Sequence, residues 1–459
     1  MKNEKIKFLL IHPEISRTKY NFVGIIENEC LELEYISSIL KKRNYEVNIY
    51  DGQVEQIDVK EKIKIVNPDI VYICGRTRQE NFMLEYCNEA KKFNKNILTI
   101  IGGLHAQLNY ERMYKDYVDY ILTTFDIFKI LDIVDYSINK LNIKLNNIDG
   151  ICFKKDGKWI KNASKPFDIN NLPLPDRTYF YEHPNNYRYL ELEHSAWVRT
   201  SYCCPYHCKF CHRNKMNCGK YVCRNIEDVV NEIEQIKASN IYIVDDDFLF
   251  NTERLNTFIF LIKKKKINKK YICYGRSDFI AQNENIMKEL KEIGLYYVLV
   301  GLETISDDNL INYNKRSSVN NNIKSINICN KYGINIMGMF IIDLNFESKD
   351  FKKLYKWIKE HNLKHVAVSI FTPEFGIETY DMYKDKLITN NPSHWDYLHV
   401  VAKPAKMSIK RYYLNYYILL IKLFIKAKKE GVYDFINYGD YIKSFIINIF
   451  KAKRSSDDE

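Results

Sequence analysis

The sequence predicts an α/β protein made of two successive strand–helix units and a helical C-terminal region. Three observations carry this. Strand and helix patterns alternate over about the first 125 residues, the alternation resumes near residue 197 and repeats six times to about residue 373, and beyond residue 409 the pattern is helical and rich in tyrosine. At 459 residues the chain has room for two or three domains and a sizeable core. Residues 1–7 are charged and run directly into a strand pattern, unlike a secretory signal. No run reaches the roughly 18 apolar residues that cross a bilayer, so the expectation is a soluble, cytoplasmic protein. The 12 cysteines then point to a metal site plus buried thiols rather than disulfides. The net charge of +11 accompanies abundant lysine, asparagine, isoleucine and tyrosine. Its one dense run, 263–266, ends a predicted helix, where cations suit the helix dipole, and no nucleic-acid partner is implied.

In chain order, the first unit (1–144) opens with an apolar strand at 6–11. A helix over 27–42 follows, with Leu31, Tyr35, Ile36 and Ile39 on one face, and then strands at 47–50, 69–74, 97–101 and 118–122. Strands joined by crossover helices form a parallel sheet, with ligands at its C-terminal edge. The loops there carry Gly75, Gly102, Gly103 and His105, and glycine would let a bulky ligand approach closely. A connector (145–194) holds a hairpin, 150–153 and 158–160, turned by Asp156-Gly157. It also holds Leu172-Pro173-Leu174-Pro175-Asp176-Arg177, whose prolines make it a stiff spacer. The second unit (195–380) has strands at 197–200, 241–244, 271–275, 297–301, 334–342 and 366–371. In the last region (381–459), Tyr413, Tyr416, Tyr417, Leu420 and Phe424 recur near helical spacing, and a second amphipathic segment spans 441–450. Packing on the preceding unit accounts for the apolar positions, and lysines on the opposite faces permit peripheral contact with a membrane surface.

The chemistry centres on Cys204-Pro205-Tyr206-His207-Cys208-Lys209-Phe210-Cys211. Three soft thiolates spaced by three and then two residues can hold three irons of one [4Fe–4S] cube, leaving a fourth iron open to a small molecule. Zinc is the alternative, because His212, Cys218 and Cys223 follow, but zinc ligands usually come as two C-x2-4-C pairs. With Thr200-Ser201-Tyr202-Cys203 before it, this segment resembles the signature of the radical S-adenosylmethionine (SAM) enzymes. The resemblance implies a partial (β/α)6 barrel and a cluster on Cys204, Cys208 and Cys211 whose open iron chelates SAM. Cys203 stands where that family usually has glycine and, as the neighbour of Cys204 in an extended segment, is expected to point away.

The first unit is similar to the Rossmann-like cobalamin-binding module of cobalamin-dependent radical SAM enzymes, through Gly102-Gly103-Leu104-His105. It departs at Thr123-Thr124, where that module usually has Gly-Glu, and it lacks the D-x-H-x-x-G motif that supplies a cobalt-ligating histidine elsewhere. Barrel active sites lie at strand C-terminal ends, which selects Asp245, Asp246, Asp247, Arg276, Glu303 and Asp343. The resemblance gives the aspartates after the second barrel strand to the SAM ammonium, Arg276 to its carboxylate or a hydroxyl, and Glu303 to its ribose or methionine part. Asn314-Lys315-Arg316-Ser317-Ser318, the segment 371–380 and Trp395-Asp396-Tyr397-Leu398-His399-Val400 are most similar to the hopanoid C-3 methylase group.

The likeness thus implies a cobalamin-dependent methyltransferase acting on an unactivated carbon through a deoxyadenosyl radical. Its substrate would be a small molecule, lipid or peptide, and its electron donor a flavodoxin or ferredoxin. A cyclising or rearranging enzyme with the same cofactors, and a non-catalytic cobalamin or cluster sensor, are the alternatives.

Overall fold

A computed structural model describes residues 5–15, 26–138 and 144–436; the amphipathic segment 441–450 lies outside them. The first sheet has five parallel strands: β1 Lys7–His12, β2 Glu46–Asp51, β3 Ile70–Cys74, β4 Leu98–Gly102 and β5 Tyr120–Leu122. The hairpin expected in the connector extends this same sheet antiparallel, as β6 Ile151–Lys155 and β7 Lys158–Lys161, giving the order β2-β1-β3-β4-β5-β6-β7. Every residue of β3 is buried, as expected of a strand covered on both faces. The first helix begins at Leu31 rather than near residue 27, because Ile26–Glu27 pairs as a short strand with Arg188–Tyr189. Leu31, Tyr35, Ile36 and Ile39 form its buried stripe.

The second sheet is six parallel strands in sequential order: β8 Ser195–Val198, β9 Asn240–Ile243, β10 Lys270–Gly275, β11 Leu295–Glu303, β12 Asn335–Ile342 and β13 His365–Ile370. This is the partial barrel expected from six strand–helix repeats. Its interior cluster includes Tyr189, Tyr242, Ile272, Tyr297 and Leu299. The run Lys263–Lys265 occupies the last turn of the helix Thr252–Lys265.

The proline segment is more than a spacer. Asp176 accepts from Ser37 Oγ at 2.6 Å and pairs with Lys41 at 2.6 Å, fastening the connector to the first helix. Arg177 is buried and joins both domains. Its guanidinium pairs with Glu29 before the first helix and with Glu232 on the barrel helix Ile226–Gln235 at 2.9 Å, and donates to the Trp197 carbonyl at 2.6 Å. Glu232 in turn takes Arg224 at 2.5 Å. A buried ion pair persists only when its partners and hydrogen bonds are complete, so this network fixes how the two domains meet.

Candidate functional site

The C-terminal strand ends of both sheets open into one cavity of about 500 Å³. The first domain contributes His12, Gln53, Gly75, Arg76 and Phe125, and the barrel contributes Arg199, Arg213, Asp246, Tyr274, Met337 and Met339, among others. At the seam, Phe125 stacks on Tyr202 with ring centroids 4.0 Å apart and planes 10° from parallel. Phe125 lies in the loop where Thr123-Thr124 replace the usual Gly-Glu. Thr123 and Thr124 are themselves buried, with Thr123 Oγ1 3.0 Å from Ser164 Oγ.

The cysteine loop leaves β8 and is tied down at both ends. At its start, Ser201–Tyr202 pairs antiparallel with Val222–Cys223. Further on, Lys209 N donates to the Tyr313 carbonyl at 3.0 Å, and Asn314 Nδ2 to the His207 carbonyl at 2.7 Å. Phe210 packs edge-on against Tyr313 at 5.4 Å. Burial pushes the Cys204 and Cys211 thiols up to about 12, so without metal they stay protonated; iron would deprotonate them on binding. Among the described residues no trio of His, Cys, Asp or Glu is gathered closely enough for a single metal ion. Ligands to different irons of a cube stand farther apart than ligands to one ion. Cys218 is exposed, and Cys223 is held in the short strand opposite Ser201. His212 is kept neutral by burial, its pKa lowered to about 3.

Cys203 corrects an expectation. Its φ is +68°, not extended, so it sits in the left-handed region that glycine prefers, which accounts for the usual glycine there.

The three aspartates after β9 divide their work. Asp245 lines the cavity but is already engaged: its carboxylate accepts from Thr200 N (2.7 Å), Thr200 Oγ1 (2.5 Å) and Ser201 N (3.0 Å) and thereby fixes the start of the cysteine loop. Asp246 lines the cavity, 3.4 Å from Arg213. Asp247 is buried with neither carboxyl oxygen hydrogen-bonded, and burial holds its pKa well above the usual range. An orphaned buried carboxyl beside the cysteine loop is the feature a cationic ligand group would satisfy.

Arg276 is already engaged, paired with Asp278 at 3.0 Å, bonded to the Lys315 carbonyl, and stacked 3.7 Å over the Tyr206 ring. It therefore braces the cysteine loop from the barrel rim. Glu303 is bound to Lys315 Nζ at 2.6 Å, both buried, and Asp343 accepts from Tyr313 Oη at 2.8 Å. Spacing alone did not single out Lys315, Arg213 or Arg199. Lys315 follows Glu303 by 12 residues on a different loop, and only the fold closes that gap.

The sheet-edge residues also differ from expectation. A Cβ at Gly102 would collide with the Tyr72 hydroxyl, and Gly103, at φ +86°, lies against Cys74 and the Gly75 backbone. These two glycines accommodate the sheet's own atoms. Gly75 lines the cavity, with Met83 Sδ 2.8 Å from where a Cβ would stand. His105 is buried with Nε2 2.6 Å from Glu80, while Nδ1 lies 3.2 Å from both Thr77 Oγ1 and Asn109 Nδ2. Both ring nitrogens are occupied, so His105 acts as a structural hydrogen-bonding residue.

A second cavity of about 300 Å³ adjoins the first, lined by Arg78, His212, Arg213, Glu374, Trp395 and Tyr397 among others. Glu374, missed in the sequence, is buried, accepts from Tyr397 Oη at 2.5 Å, and has its pKa raised by burial to about 7.

Residues 198–358 match the radical SAM superfamily, and residues 29–126 match the B12 binding domain. An uncharacterized methyltransferase of Pyrococcus horikoshii is 23% identical over 90% of this chain and 93% of its own. The hopanoid C-3 methylase of Methylococcus capsulatus is 23% identical over 89% of this chain and 78% of its own. Among solved structures, the radical SAM methyltransferase TsrM from Kitasatospora setae, with cobalamin and a [4Fe–4S] cluster bound, superposes with a TM-score of 0.68 at 13% identity, over 99% of this chain and 100% of that one. The cobalamin-dependent radical enzyme OxsB gives a TM-score of 0.64 at 17% identity over 85% of this chain, which spans 56% of OxsB. At these identities the superpositions establish the fold.

Proposed function

We propose that this chain, which carries a radical SAM region and a B12 binding region, is a cobalamin-dependent radical SAM C-methyltransferase acting on an unactivated carbon. The observation that supports this most is the cavity bounded by both domains, so that whatever each holds faces the same space. When bound, the [4Fe–4S] cluster with SAM supplies the deoxyadenosyl radical, and cobalamin supplies the methyl group.

The chain's own residues would hold and shield these groups. Cys204, Cys208 and Cys211 would ligate the cluster. Asp246 and the unpaired Asp247 would face the SAM ammonium, with the Asp247 carboxyl losing its proton as the cation arrives. Gly75 and Arg76 would line the cobalamin side. Tyr242, Tyr274, Leu299, Met337 and Met339 give the barrel end of the cavity an apolar wall suited to a hydrocarbon portion of the substrate. No side chain needs to act as nucleophile, and the electron would come from a flavodoxin or ferredoxin. The substrate is a small molecule or lipid.

The test is stoichiometry with methyl-labelled SAM. Methylation requires label in the product and one S-adenosylhomocysteine beside each 5′-deoxyadenosine. Deoxyadenosine without label transfer would favour a cyclising or rearranging enzyme, and no SAM turnover would favour a sensor.

A further inference from the structure

The C-terminal helix Ile409–Lys429 has two faces of different chemistry. Its inner face is fastened to the barrel. Tyr412 Oη donates to the Ile342 carbonyl at 2.9 Å, Tyr416 Oη to the Val368 carbonyl at 3.0 Å, and Lys426 Nζ to the Leu363 carbonyl at 2.7 Å. Leu419 and Leu423 are buried on the same side. Of the positions singled out by spacing, only Tyr416 is fully buried.

On the opposite side, Leu414, Ile418, Ile421 and Ile425 are 60, 43, 58 and 48% exposed. Steps of four, three and four residues keep them on one line along the helix, diametrically across from Tyr412, Tyr416 and Leu423. Single exposed apolar residues are ordinary, but an aligned row of four is not.

Charge completes the pattern. Lys410, Arg411, Lys422, Lys426, Lys428 and Lys429 are the helix's only charged residues, and none is acidic. At 3.6 residues per turn, Lys410 and Lys428 border one side of the apolar row, and Arg411, Lys422 and Lys429 border the other. All five are exposed. A helix that only needed solubility would carry mixed signs.

We propose that this face docks the enzyme onto the surface of a bilayer containing anionic lipid. The helix lies in the plane of the interface, its apolar row entering the headgroup–acyl boundary and its bordering cations resting on lipid phosphates. No helix among the described residues is long and apolar enough to cross a membrane, so the mode is peripheral. A protein partner would need an apolar groove with acidic walls on both sides, whereas an anionic bilayer presents both features without shape matching. The proposal rests on this helix alone and is independent of the cofactor chemistry.

The test uses full-length protein and sedimentation with vesicles of phosphatidylcholine, with or without phosphatidylglycerol. Wild type should sediment only with phosphatidylglycerol present and be released by salt. An Ile418→Ser, Ile421→Ser double variant should bind at least about tenfold more weakly, because exposed apolar area is what it loses. Lys422→Gln with Lys429→Gln should also weaken binding. All these positions are exposed, so thermal midpoints should match wild type. Ile421→Trp should show a blue-shifted emission when phosphatidylglycerol vesicles are added. Wild type left in the supernatant, equal binding by the serine variant, or no shift in the tryptophan variant would overturn the proposal. A solution dimer that the serine variant dissociates would assign the face to a second copy instead.

Discussion

Asp245→Asn tests whether this aspartate holds the cysteine loop or contacts a ligand. The buried carboxylate accepts two backbone N–H bonds, at 2.7 and 3.0 Å, and a hydroxyl at 2.5 Å. Asparagine keeps one acceptor oxygen for the two backbone N–H groups, now uncharged, and turns its NH2 group toward the Thr200 hydroxyl. Hydrogen bonds to a charged acceptor contribute about 1.5–3 kcal/mol each, neutral ones about 0.5–1.5, so weakening three is worth roughly 3–4 kcal/mol. Burial raises the pKa of this carboxyl, which marks a desolvation cost that the neutral amide escapes. The net expected loss is therefore about 2 kcal/mol. Anaerobic urea unfolding should show a lower midpoint with an unchanged slope, and reconstitution should yield less iron. Calorimetric SAM affinity of the fraction that retains its cluster should match wild type. An unchanged midpoint combined with weakened SAM binding would refute the reasoning and return Asp245 to the ligand.

Three further outcomes are expected. Cys204→Ala, Cys208→Ala and Cys211→Ala should each abolish reconstituted iron–sulfur absorbance, while Cys218→Ala, Cys223→Ala and Cys203→Gly retain it; Cys203→Gly relieves a left-handed backbone. Gly102→Ala should lower the thermal midpoint through collision with the Tyr72 hydroxyl and ring edge, and Tyr72→Phe should restore only part of it because ring carbon Cζ still stands 2.7 Å from the added methyl; an unchanged midpoint in Gly102→Ala would contradict the packing role. Glu374 binds its proton more tightly folded than unfolded, with its pKa raised from 4.5 to about 7. The resulting stability is fully present below the unfolded value and lost as pH rises through about 7, a change of about 3 kcal/mol. Urea unfolding from pH 5 to 8 should show this decline in wild type and a flatter profile in Glu374→Gln.

The sheets were legible because each strand is an apolar run bounded by turn residues, and every barrel strand falls within a few residues of its expected span. The cysteine trio was legible because its ligands are local in sequence. Side-chain direction was not. Three consecutive aspartates look alike in sequence, and only the fold turns Asp245 onto Thr200 and Asp246 toward Arg213 and buries Asp247 without a hydrogen bond. Arg177 reads as the end of a stiff connector because its partners Glu29 and Glu232 lie 148 and 55 residues away. Gly102 shows the limit of motif reasoning, since a residue in a ligand-edge loop can be small for the sake of a tyrosine on the neighbouring strand.

The Arg177 junction also bears on how such a protein can be cut, swapped or inherited. Glu29, Arg177, Arg224 and Glu232 come from the first domain, the connector and the barrel, and Arg177 is neutralised across both boundaries, by Glu29 on one side and on the other by Glu232, which Arg224 also holds. Transplanting the first domain onto another barrel would strand a guanidinium or a carboxylate in a dry interior. A working chimera must carry these residues together, and a lineage that alters one must alter the others in step.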